Sequence, residues 1–223
     1  MVETAVVFFE IQGERTGRVW RYQLLDRLDA SGDNYRAKAA DDGSYACIRV
    51  CEKGTYWEDE VERLQNAIAV ASRPEIIAAP TIRRLLDVCE TEAVAGEFGY
   101  PGRIALIWEW GAYSLDDLMH GDYQQTSAEV ADEVEANGRA ALEVLHGLGL
   151  IHLDIAPNNI LRVEGVWKLA DLDTCAERGS DSIRQPIDQR WVHPDRQHGR
   201  PVPAREEFDL YGIDRVLAVI RQA

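Results

Sequence analysis

Lysine is nearly absent from this chain. Of its 24 basic residues only Lys38, Lys53 and Lys168 are lysines and the other 21 are arginines, so any chemistry that needs a side-chain amine has three candidates. Positive charge is scarce overall. With 39 acidic residues the formal net charge is −15, which disfavours nucleic acid and anionic membranes as partners because both repel such a surface. No stretch approaches the roughly 18 consecutive apolar residues that a membrane span requires. The opening MVETAVVFFEIQGER has no basic start, and its apolar run is too short for a secretory signal, so the expected location is the cytoplasm. Cys47, Cys51, Cys89 and Cys175 form no CxxC pair and have no histidines at zinc spacing, so reduced, partly buried thiols are expected. Internal repeats, low-complexity tracts and long flexible linkers are missing too, and nothing marks two independently folding domains.

What is present changes character along the chain. Residues 4–11, 18–28, 35–40 and 45–51 are short runs rich in Val, Ile, Phe, Tyr and Trp, separated by Gly and Asp turns, and they predict a meander of antiparallel strands. Val61, Leu64, Ile68 and Ala71 recur at helical spacing before Pro74, predicting one amphipathic helix over 57–71. A strand follows at 103–109. Thr126 with Glu129 is a capping box, opening a helix that keeps Val130, Val134, Ala141, Leu145 and Leu148 on one face up to Gly149. Residues 160–163 and 166–169 form a two-strand ribbon around Glu164-Gly165. The expectation is an α+β chain: a β-rich lobe over 1–108 with one helix, a connector at 109–113, and a mainly helical lobe over 114–223.

The stretch HLDIAPNNIL, residues 152–161, stands between that long helix and the ribbon. Pro157 prevents a helix from running through it, so Asp154 and Asn159 are carried on a stiff loop. The ribbon ends in KLADLD, which brings Asp171 to the same region. Two carboxylates and an amide oxygen suit magnesium, an ion that takes few protein oxygens and keeps phosphates and water in its remaining positions.

The run ALEVLHGLGLIHLDIAPNNIL followed by VWKLADLD resembles the protein kinase segment from the long helix through the HRD catalytic loop to the DFG metal site. Outer motifs keep the family order. CIRV (47–50) resembles the VAIK strand, Glu60 the glutamate of the αC helix, IWEWG (107–111) the hinge, WVHPD (191–195) the APE motif, and FDLYGID (208–214) the start of the next helix. The resemblance covers about residues 20–215 and implies a bilobal kinase-like fold with a truncated C-terminal lobe, holding ATP and Mg2+ between the lobes. It implies Asp154 as the catalytic aspartate and Asn159 and Asp171 on the metal. Cys47 and Leu161 would enclose the adenine, the backbone of Glu109 and Gly111 would pair with the base, and Trp108 would be the gatekeeper. Arg49 and Glu60 would serve the phosphates. His152 is expected to orient backbone.

The departures from that pattern are specific. Arg49 stands where the family has its phosphate-holding lysine, and Lys38 on the preceding strand is the alternative cation, as in the with-no-lysine kinases. DASGDN (29–34) offers one glycine, Gly32, for the phosphate loop, while the better glycines of QGERTGRVW (12–20) lie too far from Arg49 for one hairpin. Leu153 replaces the HRD arginine, so regulation by a phosphorylated activation segment is not expected. Ala156 replaces a charge-stabilising lysine, and Asp173 replaces the DFG glycine, either as a further metal ligand or as a solvated charge. Arg184, Arg190, Arg196, Arg200 and Arg205 against Asp188 and Asp195 make residues 184–205 locally basic, which points to an acidic protein substrate or regulatory partner. The first expectation is an atypical protein kinase acting on a Ser/Thr hydroxyl. Its rivals are a pseudokinase serving as a nucleotide- or partner-binding scaffold, and a small-molecule kinase resembling the aminoglycoside phosphotransferases.

Overall fold

A computed structural model of the chain describes residues 8–28, 34–52, 58–91, 103–120, 128–182, 189–197 and 201–222. They fall into two compact units, one of residues 1–62 with 84–110 and one of residues 63–83 with 111–223. The first break after the strands, between Trp110 and Gly111, lies within the expected connector. Residues 63–83, assigned from the sequence to the first lobe, group with the second unit.

The first unit is one antiparallel sheet. Its strands are β1 (Phe8–Gln12), β2 (Val19–Arg27), β3 (Asn34–Ala39), β4 (Tyr45–Glu52), β5 (Leu85–Thr91) and β6 (Arg103–Glu109), in the order β1-β2-β3-β4-β6-β5. Period-two alternation puts Tyr22, Ala37, Ala39, Ala46, Ile48, Val50 and Ile107 on one buried face. Each such Ile or Val is worth about 1.5–3 kcal/mol when taken fully from water. The opposite face of β4 and β6 carries Cys47, Arg49, Leu106 and Trp108, with Cys47 opposite Trp108 and Arg49 opposite Leu106. β5 was not expected. Its register against β6 shifts between Leu85 and Asp87, which breaks the alternation that sequence reading depends on. Asp87 turns inward and ties down the β1–β2 hairpin: it accepts from Arg15 N (3.0 Å), from Trp20 Nε1 (2.7 Å) and from the Thr16 hydroxyl. Gly13 is required there, since a Cβ at that position would fall 1.9 Å from Asp87 Oδ2.

The second unit contains α1 (Glu58–Ala71) from Arg63 onward and α2 (Pro74–Ala78), a short helix with proline in its first turn that was also not expected. β7 (Tyr113–Ser114), α3 (Leu115–His120), α4 (Ala128–Gly147) and β8 (Leu150–Ile151) follow. The capping residue Thr126 lies outside the described residues. α4 ends as expected: Gly149, at φ +73°, donates its N–H to His146 O (3.0 Å). After the loop come β9 (Ile160–Val163) and β10 (Val166–Leu169), the expected ribbon, extended by β7 into three strands. β11 (Ala176–Glu177) pairs with β8, and β12 (Asp181–Ser182) pairs with β13 (Val202–Pro203). α5 (Glu206–Ile220) closes the unit.

Two glycines allow close approach at α5: Gly138 of α4 against α5, and Gly212 of α5 itself against the 152–159 loop. A Cβ on Gly138 would sit 2.9 Å from Ile213 Cδ1, and one on Gly212 would sit 2.8 Å from Ile155 Cβ. Ala131, Val134, Ala141, Leu142 and Leu145 of α4 and Ile213, Val216, Leu217 and Ile220 of α5 fill the interior. No helix among the described residues is long and apolar enough to cross a membrane.

Candidate functional site

The loop from His152 to Asn159 is held from beneath by α5. Asp209, fully buried, accepts from His152 N and Leu153 N, each at 2.8 Å, and from His146 Nε2 at 2.9 Å. Those bonds support Leu153 at φ +71°, a left-handed conformation that a branched side chain otherwise avoids. Gly212, one turn along α5, leaves room for the loop at Ile155. His152 is also fully buried: Nε2 donates to Ala170 O (3.0 Å), which leaves Nδ1 to accept from Asp154 N (3.3 Å). It orients backbone, and one imidazole fixes both the loop and the end of the ribbon.

Asp154 and Asn159 are clamped to each other. Asn159 Nδ2 donates to the Asp154 carbonyl and to Asp154 Oδ2, both at 2.9 Å, and Asn159 Oδ1 accepts from Asn158 Nδ2 at 2.9 Å. Burial pushes the Asp154 carboxyl above its usual range, and the nearby Asp171 carboxylate adds to that; His152, Asn159 and Arg196 oppose it. The structure thus brings Asp154, Asn159 and Asp171 into one neighbourhood. Asp171 opens the turn Leu172–Thr174 from a left-handed backbone at φ +62° and is partly exposed. Leu169 N donates to Thr81 O (2.9 Å) and Arg83 N donates to Leu169 O (2.8 Å), which fixes the strand that delivers Asp171.

Asp173 is not a solvated charge. It is 2% exposed, and Oδ2 pairs with Arg63 of α1 at 2.8 Å. Asn66, one turn on, donates from Nδ2 to Asp173 O (3.1 Å) and Cys175 O (2.7 Å). Burial pushes the Cys175 thiol well above its normal range, so it is inert. Sequence reading missed Arg63 and Asn66 along with Asp209 and His146. Their partners are far away in the chain, and the only local trace is that Arg63 and Asn66 share the helix of Glu60.

In the first unit Arg49 and Cys47 share the face of the sheet opposite its core, with Asn34 across from Arg49. Lys38 is exposed and pairs in register with Tyr45. The Glu60 side chain and the Gly32 loop lie outside the described residues. The rival glycine stretch is the Asp87-clamped hairpin. The Glu109 side chain is buried, accepting from Arg84 Nε (2.5 Å) and Arg84 N (3.0 Å), while its own N–H bonds to Arg84 O (3.1 Å). In the second unit Gly111 packs on Leu161, where a Cβ would meet the leucine at 3.1 Å. Of the basic stretch, Arg196 is buried and Arg205 pairs with Asp195 (2.9 Å), while Arg184, Asp188 and Arg200 lie outside the described residues.

No protein-family profile matches the chain. It is 30% identical over 159 residues to the serine/threonine-protein kinase PknB of Mycobacterium leprae, covering 69% of this chain and 23% of that protein. It is 32% identical over 113 residues to the serine/threonine-protein kinase PksC of Streptomyces coelicolor, covering 46% of this chain and 20% of that one. The likeness is kinase-like and partial. The chain spans about a quarter or less of the length of these relatives.

Proposed function

We propose that the chain is an atypical ATP-dependent protein kinase that transfers the γ-phosphate to a Ser/Thr hydroxyl. The observation that carries this reading is the clamp of Asn159 on Asp154, with Asp171 close enough to raise the proton affinity of Asp154. Asp154 accepts the proton of the attacking hydroxyl, and the raised proton affinity of its carboxylate suits that task. Asn159 Oδ1 and the Asp171 carboxylate would hold magnesium. The donor set fits: Asp171 is partly exposed, and magnesium bound with nucleotide needs only one or two protein carboxylates. When bound, the ion neutralises phosphate charge in the transition state. Asp173, neutralised by Arg63, braces the loop. Arg49 is the cation for the phosphates in this reading, and the curated relatives favour the protein-directed branch over a small-molecule kinase.

The test has two parts. ATP with magnesium should raise the melting temperature where ATP with a chelator does not, by an amount equivalent to about 2.7 kcal/mol at a hundredfold excess over Kd. With γ-labelled ATP and casein, Asp154→Asn should abolish transfer while leaving ATP affinity nearly unchanged, because the aspartate acts on the attacking hydroxyl. Asp171→Asn should instead weaken magnesium-dependent nucleotide binding. The second reading, a nucleotide-binding pseudokinase, is favoured by Ala156, buried where the family places a charge-stabilising lysine. Binding without transfer in the wild type would establish it.

A further inference from the structure

Arg196 belongs to the short turn Pro194–Arg196 and is 7% exposed. A guanidinium removed from water is costly unless it meets specific partners. Its Nη1 donates to the Leu153 carbonyl at 2.5 Å, and it lies 5.7 Å from the centre of the Phe208 ring. The carboxylates of Asp209 and Asp154 both attract it. Leu153 is therefore pinned from two directions: Asp209 of α5 holds its N–H, and Arg196 holds its C=O. The peptide between Leu153 and Asp154 has its orientation set by that second bond.

The segment that delivers Arg196 is itself packed. Trp191 and Val192 are buried, Gln197 Nε2 reaches Val192 O (3.0 Å), and the His193 ring lies against Phe208 and Tyr211. We propose that Arg196 is a positioning residue for phosphoryl transfer: it aligns Asp154 through the Leu153 carbonyl and makes that alignment depend on docking of residues 189–197. This rests on the kinase reading above.

The test compares wild type, Arg196→Gln and Arg196→Lys. Transfer of γ-phosphate from magnesium-ATP to casein should lose about tenfold to a hundredfold in kcat in Arg196→Gln. KM for ATP and the magnesium-ATP melting shift should stay at wild-type values. Arg196→Lys, whose ammonium still donates to a carbonyl, should recover part of the rate, and it serves as the working variant if Arg196→Gln does not fold. Amide hydrogen exchange at 153–155 should quicken in Arg196→Gln while α4 stays protected. Wild-type kcat in Arg196→Gln, or a loss matched by equal loss of ATP binding and fast exchange throughout α4 and α5, would overturn the proposal. A wild type that binds magnesium-ATP and transfers nothing would instead overturn the kinase reading, and unchanged exchange at 153–155 would then also refute the holding of the loop by Arg196.

Discussion

Asp87 and Asp154 are both carboxylates drawn away from bulk water, and their surroundings drive them in opposite directions. Burial pushes Asp87 up, but hydrogen bonds from Thr16, Trp20 and the backbone of Val88 and Arg15 outweigh it and hold the group below its usual range. A carboxylate depressed in the folded state stabilises the fold above its unfolded pKa of about 3.9 and loses that contribution as pH falls through the lower folded value. Asp87→Asn should therefore cost about 1–3 kcal/mol in urea unfolding at pH 7, with the gap to wild type narrowing below about pH 4. Asp154 carries the reverse sign. Its folded pKa is raised, so its ionised form costs stability as pH rises through that value. Thermal melts at pH 7 should find Asp154→Asn as stable as wild type or more so, whatever it does to transfer.

Among elements, β3 and β4 offer the two candidate phosphate cations. Arg49 lies centrally on the face of the sheet opposite its core, and Lys38 pairs with Tyr45, four residues along β4 from Arg49, a separation of about 13 Å at strand rise. Arg49→Ala should weaken magnesium-ATP binding about tenfold or more in a titration, and Lys38→Ala should leave it within about twofold. The opposite ranking would assign the role to the lysine. Elements of this kind were legible in the sequence because their signals are local. Alternation gave β1 to β4 and β6, the three-four spacing gave α1 and α4, and the candidate residues of the 152–161 loop sit within a few positions of one another. β5 was hidden by its register shift and by an inward aspartate, and α2 is too short for a periodic signal. Arg196 reads in the sequence as one charge of the basic segment 184–205, because nothing in its neighbourhood records that its partner is the carbonyl 43 residues earlier. The Asp209 anchor has the same character: its motif was visible, but the two amides it holds were not.

At the scale of the whole molecule, the net charge of −15 sets a background of self-repulsion. The exposed network Asp132–Arg221–Glu135–Arg139–Asp214 across α4 and α5 offsets part of it locally, although such pairs are individually worth little. Raising ionic strength from about 0.01 M to 0.1 M shortens the screening length from about 30 Å to 10 Å. Melting temperature should then rise by about 2–4 °C, the shift expected for roughly 1 kcal/mol in a chain of this size. A fall would mean that the ion pairs outweigh the repulsion.

The arginine at position 49 has a chemical consequence of its own. Reagents built on ATP with an acyl phosphate mark a nucleotide site by acylating a neighbouring amine, and a guanidinium, protonated at every accessible pH, does not take the acyl group. If Arg49 is the phosphate cation proposed above, tagging that needs an amine beside the phosphates should miss that position, whereas a dicarbonyl reagent directed at arginine should modify Arg49 and be blocked by ATP.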